Sequence, residues 1–434
     1  MIKLKRLLSA LLCVCLVLIG IAGCSSGSGD AKEEKTEEAD SEKPESIQVM
    51  VGSDHAPYHE VVAERYEEKY GIKVELIVDA YDNQRNKAVA AATSGATEDI
   101  VVVDSCWPTE FANAGILAPI TPYMSDELIE SLVPVALEQA TVDGEVWYMP
   151  TVNETKWLYY NKAKLQEAGY DHAPATWEEL EEMSRTMIDK NLVKYGISWG
   201  AAQAEGLTCD WAVLMNSFGE DSWFDESGKW NLNSEKAKVA LDFFVGTIKN
   251  GIADPASITY DDRQVLNTLA AGDVAFVLNW SFAWAVLNNP DESSVSGNVA
   301  IGCVPGSEKY GTVSGSTTGG GGYGILANSD AKEWAYKYLE MIVEPEFMVE
   351  ALEITNNMPV TAETYVDEEV LKEYPHLEDC FPQYEYELVR PLLVQYNDWA
   401  LLVQQNLHSA LSGASTVDEA LDNLQKQAES QITP

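Results

Sequence analysis

Basic side chains are scarce: 28 lysines and arginines stand against 70 aspartates and glutamates in 434 residues, a formal charge of −42. A field of that sign repels phosphate backbones and anionic headgroups, which excludes nucleic acid and anionic lipid surfaces as partners. Cysteine is sparse too. The four beyond residue 24 (Cys106, Cys209, Cys303 and Cys380) form no Cys-x-x-Cys spacing, so a zinc site is not expected and isolated buried thiols are favoured over disulfides. Among the five histidines, His55 and His59 lie four apart without a His-Glu-x-x-His frame and read as solvated loop residues. Phenylalanine is rare, nine against 12 Trp and 20 Tyr, a bias toward rings with a polar handle that core packing alone does not require. No internal repeat or complete phosphate loop is present, and no Gly-x-Ser-x-Gly stands between a strand and a helix as an elbow requires. Gly319-x-Gly321-x-x-Gly324 matches the dinucleotide fingerprint in letters only, because a strand rather than a helix follows it. No cofactor is expected.

What is present begins with an address. Lys3, Lys5 and Arg6 precede a stretch of 15 apolar or small residues, Leu7 to Ile21. That is short of the ~20 needed for a permanent span, so residues 1–23 read as a secretory signal. The sequence Ile21-Ala22-Gly23-Cys24 resembles the lipobox of bacterial lipoproteins, which implies cleavage before Cys24, lipidation of its thiol, and a chain anchored at the extracellular face of the cell membrane. Residues Ser25 to Ser46 hold eight acids, three lysines and no large apolar side chain, so 24–46 is expected to be an acidic disordered tether.

Beyond the tether, 46 % hydrophobic content suits a globular chain, and the length suits two or three domains of ~150 residues. Ile47 to Val51 and Lys73 to Val78 read as strands flanking a helix with Val61, Val62, Tyr66 and Tyr70 in period, and Asp99-Ile-Val-Val-Val-Asp104 as a buried parallel strand. The class is α/β. After Pro150 a second series begins: a strand at Trp157 to Tyr160, and a capping-box helix from Thr176 with Glu179. A helix over Ser234 to Asn250 is expected to bury Val239, Leu241, Phe243, Phe244, Val245 and Ile248, and others follow at Asp261 to Ala271, Ala331 to Val343 and Thr416 to Ile432. Carboxylates are plentiful enough that a hydrolytic pair among Asp104, Glu154 and Asp210 stays open, so a cell-surface glycoside hydrolase is one reading; the acidic surface leaves a polyamine or cation receptor as another.

Several segments together resemble the extracellular solute-binding proteins of family 1, the receptors of carbohydrate ABC importers, most closely their trehalose/maltose-binding branch. They are Asp99 to Asp104 followed by Trp107 and Phe111-Ala-x-x-Gly115; Leu158-Tyr-Tyr160; Thr176-Trp-x-Glu-Leu180; Trp199-Gly-x-x-Gln203-x-Glu-Gly-Leu-Thr-Cys209; Asn279-Trp280-x-x-Ala283-Trp284; Gly321-Gly322-Tyr323; and Arg390-Pro391 with Tyr396. The resemblance implies a two-lobe, type II periplasmic-binding-protein-like fold with a hinge and an interlobe ligand cleft. The implied lobes are 47–150 with 303–345, and 151–302 with 346–434, the chain crossing near Pro150, Cys303 and Pro345. It implies a monomeric receptor that takes an oligosaccharide, delivers it to permease subunits and breaks no bond.

The implied site residues are Arg85, Asp104, Trp107, Glu154, Trp280, Gly322, Tyr323, Arg390 and Tyr396. Sugars carry C–H patches on their faces and hydroxyls at their edges, so stacking rings and charged hydrogen-bonding groups are the matching chemistry. Asp104 ends a buried strand, and Trp280 sits where a strand gives way to a helix. The glycines around Gly322 are expected to let the backbone approach the ligand. Each has a plainer role open to it: Trp280 and Tyr323 as core aromatics, Arg390 as half of a structural ion pair, Asp104 as a helix cap. The branch has an aromatic residue and an Asp near Val152 to Glu154, and a Trp at Tyr323, so the resemblance does not imply which sugar fits. Asp54 and His55, in a loop of different length, are open contacts.

Overall fold

The computed structural model describes residues 43–94 and 98–433. The signal peptide, Cys24 and the tether up to residue 42 lie outside them. Strand β1 (Ser46–Gly52) pairs in parallel with β2 (Lys73–Asp79), Val49 opposite Leu76, and with β3 (Ile100–Asp104). Ile47, Val49, Met50, Val51, Ile100, Val101 and Val103 are fully buried, the pattern of strands covered on both faces. Two helices make the crossovers, α1 (Ala56–Tyr70) and α2 (Tyr81–Ser94). Pro57 sits in the first turn of α1, where no hydrogen bond is lost; Tyr58, Val62 and Tyr66 face the core; and Gly71, at φ 63°, ends it with its N–H on Glu67 O. His59, expected in solvent, is 1 % exposed, because its helix turns it onto the Tyr338 hydroxyl at 2.8 Å.

A short helix α3 (Pro108–Asn113) and strands β4 (Leu117–Ala118) and β5 (Met149–Val152) extend this layer. The sheet is completed from far along the chain by β10 (Gly321–Leu326), antiparallel to β3 on one side and to β4 and β5 on the other. A second sheet holds β6 (Trp157–Asn161), β7 (Tyr195–Ser198), β8 (Val274–Asn279) and β9 (Val299–Gly302) in the order β9-β6-β8-β7. Helix α4 (Trp177–Asp189) is capped by the Thr176 hydroxyl on Glu179 N–H, but the expected reciprocal box is absent: the Glu179 carboxylate goes instead to Ala175 N–H (2.7 Å) and His172. Helix α5 (Glu205–Ser217) is buried along nearly its whole length. Helix α6 (Glu235–Lys249) buries Leu241, Phe244 and Val245 with Ala237 and Ala240; Val239, Phe243 and Ile248 flank that stripe and are only half-buried. A complete capping box, Asp261 with Gln264, opens α7 (Asp262–Ala270), and α8 (Ala283–Asn288) follows β8. Helices α9 (Lys332–Met341), α10 (Pro345–Thr355), α11 (Tyr396–Leu411) and α12 (Val417–Gln431) cover the layers.

Passage between the sheets occurs in three adjoining segments. Residues 153–156 join β5 to β6; Ser316–Thr317 pairs in parallel with Glu387–Leu388; and Thr155 bridges Thr318. The Ser316 hydroxyl bonds Thr155 Oγ1 (2.9 Å) and the Lys156 backbone, and Thr317 Oγ1 donates to Leu388 O (2.9 Å). Pro345, where a passage is expected, instead occupies the first turn of α10, a position open to proline, and α10 lies against α1 with Glu350 paired to Arg65.

Candidate functional site

Carboxyl ends of strands converge on one space, as open α/β sheets arrange for their ligands. Gly52 at the end of β1, Asp104 at the end of β3, Trp280 after β8, Glu205 at the start of α5, Gly321 and Gly322 at the start of β10, and Glu154, Gly319, Gly320 and Arg390 from or beside the crossing segments line a cavity of about 470 Å³. That is the size of a small-molecule site.

Arg390 is 3 % exposed and held on all sides. Its Nη2 donates to Asp104 Oδ1 (2.7 Å) and Ser105 Oγ (2.9 Å), its Nη1 to Glu205 Oε1 (3.1 Å), and its Nε to Thr318 O (3.2 Å). A guanidinium taken out of water survives only with partners this complete. Tyr81 donates its hydroxyl to Asp104 Oδ2 (2.9 Å), and Tyr396 donates to Glu205 Oε1. Burial pushes the Glu205 carboxyl up and Arg390 pulls it back. Arg390 therefore joins an acid of the first sheet to an acid of the layer on the second.

A second buried group underlies Trp280. Lys156, fully buried, donates to Asp210 Oδ1 (2.5 Å) and Asp262 Oδ1 (2.8 Å). Burial pushes the Asp210 carboxyl up, against the pull of Lys156. The other oxygen of Asp262 accepts from Trp280 Nε1 (3.2 Å), and Lys156 Nζ stands 5.1 Å from the indole centroid. Gly319 packs against the same indole, where a Cβ would fall 2.3 Å from a ring carbon. The ring is thus fixed at its N–H and against the backbone. Glu154 accepts from the Ser281 hydroxyl, and burial pushes its carboxyl up to about 7, Ser281 opposing. At the rim, Asp54 pairs with Arg263 at 2.5 Å across the cleft.

Asp104, Glu154, Trp280, Gly322, Tyr323 and Arg390, six of the sequence candidates, line this cavity; Arg85, Trp107 and Tyr396 do not. Arg85 is turned to Glu110 (Nε to Oε2, 2.9 Å), an ion pair between α2 and α3. Trp107 is 4 % exposed, stacked on Tyr81 and tilted against Phe111. Tyr396 stands behind Glu205 and orients it. Tyr323 is 1 % exposed, edge-on to His59 at 4.5 Å, so only its margin reaches the cavity. The glycines serve strand approach: a Cβ on Gly322 would fall 1.8 Å from Met149 O, and on Gly321 2.3 Å from Val103 O. Asp54 and His55 join the lining.

Sequence reasoning missed Glu205, Asp262, Lys156 and Tyr81. Glu205 and Lys156 had a signal, each a lone charge beside apolar runs; Asp262 looks like any surface acid at a helix start. Cys106, Cys209, Cys303 and Cys380 are free. Among the described residues no group of three or more His, Cys, Asp or Glu is arranged to hold a metal ion, and no helix is long and apolar enough to cross a membrane.

The sequence profile of the family described as bacterial extracellular solute-binding protein matches residues 52–349. A probable ABC transporter-binding protein of Deinococcus radiodurans is 28 % identical over 377 residues, 84 % of this chain and 88 % of that one. A probable amino-acid ABC transporter periplasmic-binding protein of Sinorhizobium fredii is 22 % identical over 387 residues, 85 % of each chain. The solved structure of T. maritima MalE3 with maltose bound superimposes with a TM-score of 0.84 at 27 % identity, covering 89 % of this chain and all of that one.

Proposed function

Because the chain belongs to the bacterial extracellular solute-binding proteins, the binding components of ABC transporters, we propose that it is the receptor of a carbohydrate importer, closing two lobes on an oligosaccharide and delivering it to a permease. One observation carries this reading: a fixed indole, Trp280, lines a cavity together with carboxylates and the Arg390 guanidinium, already oriented by their own partners. Stacking ring and preset hydrogen-bonding edge are what a pyranose needs.

The six acids and two arginines of the lining also favour a second reading, a cationic amine or amino-acid ligand. The pairings weigh against it. Asp104 and Glu205 share Arg390, Asp54 has Arg263, and Asp262 has Lys156. Asp261 caps α7, and Glu154, near 7, is only partly charged at neutral pH. The excess negative charge that remains sits on carboxylates already engaged with Arg390, Lys156 or the start of α7 rather than on free groups turned to a cation. The same pairings leave no carboxylate pair free for glycoside hydrolysis, and the matched relatives are binding proteins.

The finer parts of the proposal rest on sequence. The chain is attached through a diacylated Cys24 at the extracellular face of the membrane, with 24–46 as its tether, and acts as a monomer. Lobe one is taken as 47–152 with 318–355 and lobe two as 157–315 with 356–434, a division supported by the passage at Ser316–Thr317, by the bridge of Gly306 to Thr176 and by the Arg65–Glu350 pair between α1 and α10.

Calorimetry and thermal shift against α- and β-linked oligosaccharides, polyols, amino acids and polyamines test the reading. A sugar is expected to bind saturably, to raise stability by ~2.7 kcal/mol at a hundredfold excess over Kd, and to be recovered intact. Stabilisation by an amine or amino acid alone, or cleavage of the sugar, overturns it.

A further inference from the structure

Beside the first cavity opens a second groove, also about 470 Å³, that shares Asp54, Arg263 and Phe282 with it. We propose that this groove holds the continuing end of the same sugar chain, so that the ligand is an oligosaccharide longer than the interlobe cavity; the inference rests on the carbohydrate reading above.

The groove has its own flat platform. Trp284 is stacked on His376 with centroids 4.4 Å apart and planes at 13°, which covers one face of the indole and fixes the ring. His376 gives Nε2 to Asn356 Oδ1 (2.9 Å), and burial pushes its pKa down to about 4, so the stack stays neutral across the physiological range. Asn356 donates to Ser281 O (2.8 Å), and the Ser281 hydroxyl donates to Glu154. Platform and cavity wall are therefore parts of one hydrogen-bonded unit, set in place before a ligand arrives. Asn288 and Asn289 also line the groove; their amides donate to Trp284 O (3.0 Å) and Glu292 Oε1 (2.8 Å), which orients them and leaves each a second N–H for a hydroxyl.

Continuity decides the occupant. The partition between the two spaces is the Asp54 to Arg263 pair, whose side chains are 45 % and 44 % exposed. An exposed pair of this kind shifts an equilibrium by no more than about fivefold, so hydroxyls of a chain passing from cavity to groove can replace it at small cost. A stacked sugar on an indole returns about tenfold.

The test is calorimetry with malto- and cello-oligosaccharides of two to six units on the wild-type protein, Trp284→Ala, Trp284→Phe and Asn289→Ala, with unfolding of each empty protein. Affinity is expected to rise with chain length at one ligand per protein. Trp284→Ala should cut it about tenfold for the longest chains and less than twofold for the disaccharide, with Trp284→Phe in between. Equal losses at every length, no dependence on length, or a second bound equivalent overturns the proposal while leaving the receptor reading standing. Silence of the wild-type protein toward both series overturns the carbohydrate reading and this one with it.

Discussion

Replacing Trp280 with alanine separates a ligand-stacking ring from a core ring. The indole is half-buried, tied at Nε1 to Asp262 and packed on Gly319, which leaves part of one face toward the cavity. If about a third of the ~250 Å² of a tryptophan side chain is covered by sugar, ~80 Å² at ~25 cal/mol per Å² gives about 2 kcal/mol, roughly a 30-fold loss of affinity. The empty protein loses one hydrogen bond and a partly solvated packing contact, about 1 to 2 kcal/mol, against the ~3 to 5 typical of a fully buried tryptophan. Titration calorimetry with the bound sugar and denaturant unfolding of the empty protein read both terms. Trp280→Phe should recover about half of the affinity by keeping a smaller ring. Wild-type affinity in Trp280→Ala together with a stability loss of core size would refute the reasoning and make the ring structural.

Four further outcomes are expected. The Glu154 carboxyl is raised from 4.5 to about 7 by burial, so its contribution to stability is full below pH ~4.5 and is lost as pH rises through 7. Between pH 6 and 8 the empty wild-type protein should lose about 1 kcal/mol more than Glu154→Gln, and identical pH slopes for the two would contradict the assignment. Asp104→Asn removes one of two charges held by Arg390, so it should lower stability by about 2 kcal/mol as well as weaken sugar binding; melting at the wild-type temperature would show the pair to be idle. Gly322→Ala drives a methyl into the Met149 carbonyl, so a stability loss of about 2 kcal/mol or more, measured by urea unfolding, should accompany nearly unchanged affinity in the folded fraction. Cys24→Ala should release the intact domain from the membrane or leave its signal uncleaved, and a variant still labelled by lipid would rule the anchor out.

Local pattern made much of this fold readable. The β-branched run ending at Asp104 and the apolar period over Thr416 to Ile432 are signals that neighbouring residues carry, and the strand and helix they announce are present. What neighbours cannot carry is which distant segment completes a layer. Nothing near Gly321 says that β10 runs antiparallel between β3 and β5, so the sequence does not show that the glycines lining the cavity also make room for Met149 and Val103. Within the site, residues at strand ends fell where expected, because that position is geometric. Arg85 and Trp107 did not, since an arginine and an indole look the same in sequence whether they face a cavity or a neighbouring helix. Asp262 was invisible because its role depends on Lys156, more than a hundred residues away.

The hydroxyl-stitched crossings have a mechanical consequence. Three chains bonded edge to edge through Thr155, Ser316, Thr317 and Leu388 make a leaf spring. Flexing across the thin direction of such a strip leaves each stitch intact, whereas shearing one chain past the next would break them all. For the proposed two-lobe receptor, relative movement of the halves would thereby be reduced to a single soft coordinate. In the receptor proposed above, cargoes of different length would then bring the molecule to one and the same outline, and a downstream machine would sense that something is aboard without sensing what.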